Sequence, residues 1–154
     1  MKADHINPVV TAVINTLQTM AQLEPVVGKP SLKQSTTAPG VVSGLIALEG
    51  KDARGSLALS FPEAVILDIY KRMMHEEKAT VDNMVVDLVG ELANIVMGGA
   101  KQQFESRGMD FGLTLPKTLE GIDHEIKHVV IGKVITIPLQ IDSGTIYTEF
   151  CFVQ

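Results

Sequence analysis

Tryptophan is absent from this chain of 154 residues, aromatic residues make up only 5% of it, and cysteine occurs once. A lone Cys151 excludes an internal disulfide and suits a reducing compartment. No apolar run approaches the roughly eighteen residues of a bilayer-spanning helix, and the opening Met-Lys-Ala-Asp-His is too polar for a signal peptide. Clusters of basic residues are missing as well. With 13 Lys and Arg against 18 Asp and Glu the net charge is −5, which argues against binding nucleic acid, because no basic patch is visible to neutralise phosphates. What remains is an acidic, cytoplasmic protein. Its apolar fraction of 45% and positive mean hydropathy of +0.22 supply a core for one domain over 1–154.

The strongest local pattern is a long helix predicted over 82–107, with Asp82 as its cap and Gly108 as a left-handed stop. At about 100° per residue, Asp87, Glu91, Asn94, Gly98 and Lys101 fall in one narrow stripe. Met84, Val85, Leu88, Leu92, Ile95 and Val96 fill one flank and the back, and Val86, Ala93 and Met97 fill the other. A helix apolar on nearly every side is buried on nearly every side, which leaves this stripe to face water. Periodicity alone is satisfied by a merely solvated face. Two glycines argue for more: Gly90 borders the stripe and Gly98 lies within it. Each interior glycine costs on the order of 1 kcal/mol relative to alanine, and is best tolerated where another backbone or a partner comes close.

A second helix is predicted from Asn7-Pro8 to just before Pro25, with Val9, Val13, Leu17, Met20 and Leu23 at helical spacing. Residues 25–39 read as irregular with room for one strand. Runs at 41–48 and 55–61 form a hairpin, its connection running from Glu49 through Asp52 to Arg54. Ser60 and Glu63 have the spacing of a capping box for a helix over 62–74. A second hairpin pairs 128–141 with 144–153, and it echoes the first at offsets of 88 residues (Val41 to Val129) and 89 residues (Gly55 to Gly144). The implied architecture is α/β, in the α+β sense: a pseudo-twofold helix-plus-hairpin repeat with long helices on a mixed β-sheet. The strands over 129–137 and 144–153 carry few charges to blunt an open edge, so a homodimer joined through strands is expected.

His124-Glu125-Ile126-Lys127-His128 spells the His-Glu-x-x-His signature of zinc peptidases, which needs both histidines on one helix face and a third ligand. Its surroundings are strand-like, with Val129, Val130, Ile131, Val134 and Ile135 following. On a strand the two rings would stand about 13 Å apart, too far to share an ion. The peptidase reading is therefore discounted.

Asp87-x3-Glu91-x2-Asn94, with Pro116 after a gap of twenty-one residues, resembles the signature of the CheC/CheX/FliY chemotaxis phosphatases, one residue short of its usual spacing. Asn7-Pro8-Val9-Val10 and Thr19-Met20 resemble the opening helix of the CheX-type branch in particular. The first helix offers Ala12-x2-Asn15 without a glutamate, so the resemblance implies one site per chain. It implies a pseudo-twofold α/β fold and removal of the phosphoryl group from an aspartyl phosphate on a CheY-like receiver protein. Asn94 would orient the hydrolytic water and Glu91 would pair with the receiver's lysine, the two making up the catalytic set. Asp87, Gly98 and Lys101 would line the partner-binding surface. No metal of the chain's own is implied, since Mg²⁺ would come with the phosphorylated partner. The alternative is a non-catalytic module of the same fold that docks a receiver or a flagellar switch protein.

Overall fold

The computed structural model describes residues 3–51 and 53–153 of the chain, so Asp52 in the first hairpin connection lies outside the described residues. Helix α1 (Ala3–Ala21) is followed by two short strands, β1 (Val26–Val27) and β2 (Ser31–Leu32), and by the hairpin of β3 (Val42–Gly50) and β4 (Arg54–Phe61). Helices α2 (Glu63–Met74) and α3 (Asn83–Ser106) come next. Strands β5 (Phe111–Leu113) and β6 (Lys117–Glu120) precede the second hairpin, β7 (Ile135–Ile141) and β8 (Gly144–Val153). Eight strands form one sheet in the order β1-β7-β8-β4-β3-β5, with β2 also on β7 and β6 also on β3.

The predicted repeat is present, in a swapped form. Each half runs helix, two short strands, hairpin, and the halves meet where β4 pairs with β8. The short strands cross over: β1 and β2 line β7 of the other half, while β5 and β6 line β3. A shift of 91 residues carries the register of one hairpin onto the other, Leu48–Gly55 onto Leu139–Ile146. The apparent 89-residue match slips β8 by two residues, which a period-two pattern cannot detect because it leaves every side chain on its own face.

Four expectations are corrected. The sheet is antiparallel at every described pairing rather than mixed, because strands related by a local twofold meet head to tail. Residues 129–134 form no strand, and β8 and most of β7 are interior, so the long apolar strands offer no open edge. The capping box is not made either. Pro62 stands at the N-cap of α2 without a side-chain bond, because Ser60 is buried in β4, where its hydroxyl accepts from the Gly40 N–H and from the Ser43 hydroxyl. Helix α1 also starts earlier than predicted, taking Pro8 into its interior.

Alternation along the central strands sorts the sheet into two unlike faces. Val42, Ile46 and Leu48 of β3, Leu57, Leu59 and Phe61 of β4, and Phe150 and Phe152 of β8 join the helices in the main core. The opposite face carries Ser43, Leu45, Ser56, Ala58, Ser60, Glu149 and Cys151, all buried under loops rather than helices. On the helical face, a Cβ at Gly44 would stand 3.0 Å from the Ala93 Cβ and 3.1 Å from the Val89 carbonyl oxygen. Glycine there lets α3 lie on β3 at backbone contact. Alongside, Gly99 of α3 meets Ala12 of α1, at 3.6 Å from a Cβ built on the glycine. Close seating of this kind holds α3 in place along its length.

Candidate functional site

Both ends of the 24-residue α3 are fixed. At the start, the Asp82 carboxylate accepts from the N–H groups of Met84 and Val85, each at 3.1 Å, and pairs with the Lys78 ammonium at 2.9 Å. Lys78, above all, holds the Asp82 carboxyl below its usual range, and Asp82 in turn raises Lys78. At the far end Gly108 takes φ +80°, the Met109 N–H closes on the Phe104 carbonyl at 2.9 Å, and the Phe104 ring packs edge-on against Phe111 with centroids 5.0 Å apart. The helix is a rigid shelf.

On that shelf Asp87, Glu91 and Asn94 are exposed, while Leu88, Val89, Leu92 and Ala93 between them are buried. No side-chain hydrogen bond or ion pair within the described residues engages any of the three. Two carboxylates and an amide therefore point outward with their bonding capacity unspent, at fixed positions about one turn apart. Gly98 and Lys101 continue the stripe half-buried, and Lys101 pairs with Glu105 at 3.5 Å. One assignment differs from expectation: Met84, placed on the apolar flank, is 52% exposed and stands at the head of the stripe.

The glycines separate by purpose. Gly90 lies close to β6, where a Cβ would meet Thr118 Cγ2 at 3.2 Å, and Gly99 accommodates α1. A Cβ at Gly98 would meet nothing within 4 Å. Packing explains two of the three, and Gly98 is left without a role in the fold.

The His-Glu-x-x-His segment is neither helix nor strand, and its histidines part company on the sheet's other face. His124 Nε2 lies 2.7 Å from the Ser43 hydroxyl, with Nδ1 2.7 Å from the Gly121 carbonyl. His128 Nδ1 lies 2.7 Å from the Ser56 hydroxyl, with Nε2 3.1 Å from Glu149. Glu149 itself is wholly buried and accepts from the Lys33 ammonium at 2.6 Å. Both ring nitrogens of each histidine are engaged, and no cluster of three or more potential ligands able to hold a metal occurs among the described residues. Burial also pushes the Cys151 thiol up, away from reactivity.

With this geometry in hand, comparison with known proteins is decisive. The family model described as "Chemotaxis phosphatase CheX" matches residues 42–140. The chain belongs to the CheX family. Its match takes in both hairpin strands β3 and β4, the whole of α3 and most of β7. A CheC-like superfamily protein from Shewanella is 42% identical over the whole of both chains, with a TM-score of 0.93. The CheY-P phosphatase CheX of Thermotoga maritima is 28% identical over 93% of this chain and 91% of its own length. The CheX–CheY–BeF3–Mg²⁺ complex from Borrelia burgdorferi matches at 24% identity and a TM-score of 0.82, covering 99% of this chain and all of that one, a likeness of fold. No described helix is long and apolar enough to cross a membrane.

Proposed function

We propose that this CheX-family chain hydrolyses the aspartyl phosphate of a phosphorylated CheY-like receiver in the cytoplasm. The observation that carries the proposal is the pair Glu91 and Asn94, outward-facing and unengaged on a helix anchored at both ends. An acyl phosphate passes through a loose transition state that asks for alignment and charge neutralisation more than for a strong base. A fixed amide suits the first need. Its carbonyl oxygen accepts from a water and its N–H group donates, so Asn94 sets the water in line with phosphorus. As the water oxygen bonds to phosphorus, the bond from phosphorus to the aspartyl oxygen breaks, releasing inorganic phosphate and the receiver's carboxylate.

Glu91 then serves as an anionic dock for a cation on the receiver, with Asp87 one turn before it, and Gly98 and Lys101 extending the contact. The Mg²⁺ that neutralises phosphoryl charge is the receiver's. Two carboxylates on one straight helix face give a poor octahedral set, and Mg²⁺ seeks oxygen ligands converging from several sides. The Borrelia complex, which contains CheY and Mg²⁺ together, supports this division of labour.

We also propose a homodimer, now through β1 rather than the long strands. Val26 and Val27 at this sheet edge are 69% and 43% exposed, and such an edge invites pairing with a second copy. Light scattering at micromolar concentration tests it, and a mass of 16.6 kDa would refute it.

The alternative is a module that docks a receiver without turnover. A CheY-like receiver phosphorylated with acetyl phosphate decides between the two. Substoichiometric amounts of this protein should dephosphorylate it over many turnovers, whereas a docking module would leave its lifetime unchanged or extend it.

A further inference from the structure

The short link between β5 and β6, which follow one another along β3, holds the most exposed leucine of the described residues. Leu115 is 90% exposed, which for one apolar side chain needs no special cause. Its mounting does. Thr114, immediately before it, is stitched to Ala47 of β3 twice: its N–H donates to the Ala47 carbonyl at 3.1 Å, and its hydroxyl accepts from the Ala47 N–H at 3.0 Å. Pro116, immediately after it, has its φ set by the ring. Leu115 thus projects from a link pinned on both sides.

The position of that link follows from two fixed contacts. At one end, Gly90 of α3 lies over Thr118 of β6 and Ala93 over Gly44 of β3, which pairs with Thr118. At the other, Phe104 of α3 packs on Phe111 of β5. Residues 114–116 lie between those strands, and so run beside the part of α3 between the anchors, the part that carries Asn94 and Gly98. On that part of α3 lies the one glycine of the helix whose missing side chain the fold does not use.

We propose that Leu115 and the bare backbone at Gly98 form an apolar seat for the phosphorylated receiver, one that sets affinity while Asn94 carries out the chemistry. This rests on the phosphatase reading and deepens it. The occupant is the receiver rather than a second copy because the seat is continuous with the unengaged stripe that meets the phosphoryl group. An apolar anchor beside a charged contact is the usual composition of an interface hot spot, since it excludes water from the polar pairs next to it. A pinned leucine gives up little conformational freedom on docking.

The test uses the full chain and an acetyl-phosphate-charged CheY-like receiver with Mg²⁺. Leu115→Asp should raise the receiver concentration for half-maximal rate by about tenfold or more, with the rate at saturation held within about twofold. Gly98→Ala should weaken the receiver in the same sense while raising the melting temperature, since alanine is the better helix former and meets no clash. A purely structural role for the glycine would instead lower the melting temperature, and would overturn its assignment to the seat. Wild-type kinetics in both variants would overturn the proposal, as would a lower saturated rate at unchanged half-saturation. A change in self-association with unchanged receiver affinity would assign the seat to a second copy, and would overturn it too. Direct titration of the phosphorylated receiver keeps the two claims apart. If the wild-type chain binds without accelerating hydrolysis, the phosphatase reading fails, and the affinity of Leu115→Asp still decides the seat.

Discussion

The two faces of the sheet present two polar constellations that look equally functional in one dimension and opposite in three. On α3, Asp87, Glu91 and Asn94 are exposed and bonded to nothing in the described chain. Across the sheet, His124, His128, Glu149 and Lys33 are tied to serines, to a carbonyl and to each other. The comparison teaches that saturation, more than residue type, marks a structural set. A group whose hydrogen bonds are already spent inside the protein holds the fold, and one left unspent on a rigid element is available to a partner.

The largest expected effect breaks the structural set. Lys33→Met would leave the buried Glu149 carboxylate without its cation, and should cost about 3–5 kcal/mol of stability by chemical denaturation. A loss below 1 kcal/mol would mean that His128 alone can hold the carboxylate. On the other face, Glu91→Ala should leave the melting temperature unchanged and raise the half-saturating receiver concentration about tenfold, the equivalent of one charged contact. Excess receiver should restore the rate, and a deficit that no concentration relieves would move Glu91 from docking into chemistry. Smaller still is the expected behaviour of Cys151, buried with its thiol pushed up. It should resist alkylation by iodoacetamide at neutral pH in the native state and label fully in denaturant, and fast native labelling would contradict its placement. The smallest effect is none: Mg²⁺ titrated into the isolated protein at millimolar concentrations should give no saturable heat. Binding that vanishes in Asp87→Ala would instead make the stripe a metal site.

Much of this was legible before any coordinates. Helix α3 declared itself because its cap, stop and apolar period agree, and the same period exposed Asp87, Glu91 and Asn94 together. Strands of two to four residues such as β1, β2 and β6 contain too few positions for alternation to register, so the swapped pairing of the halves was out of reach. Residues 128–134 misled because Val129, Val130 and Ile131 have strand composition. Val129 and Ile131 are in fact exposed in a strap whose neighbours His124 and His128 anchor it to buried serines. Met84 fell on the apolar side of the helical projection, and only its exposure reveals it at the head of the stripe. Leu115 gave no sequence signal, because a leucine before proline is ordinary until its neighbours are seen to be pinned.

Asn94 carries the central claim, and one paired measurement tests it. In Asn94→Ala, an exposed amide is lost at a cost to stability below about 1 kcal/mol, so the fold and Glu91 remain in place. The measurement is the lifetime of a phosphorylated CheY-like receiver at saturating enzyme, read beside the affinity of the same receiver by titration. If Asn94 aligns the hydrolytic water, the variant should bind the receiver within about threefold of the wild-type affinity and lose about a hundredfold or more of the acceleration. A variant that binds and dephosphorylates as the wild type does would contradict the account outright.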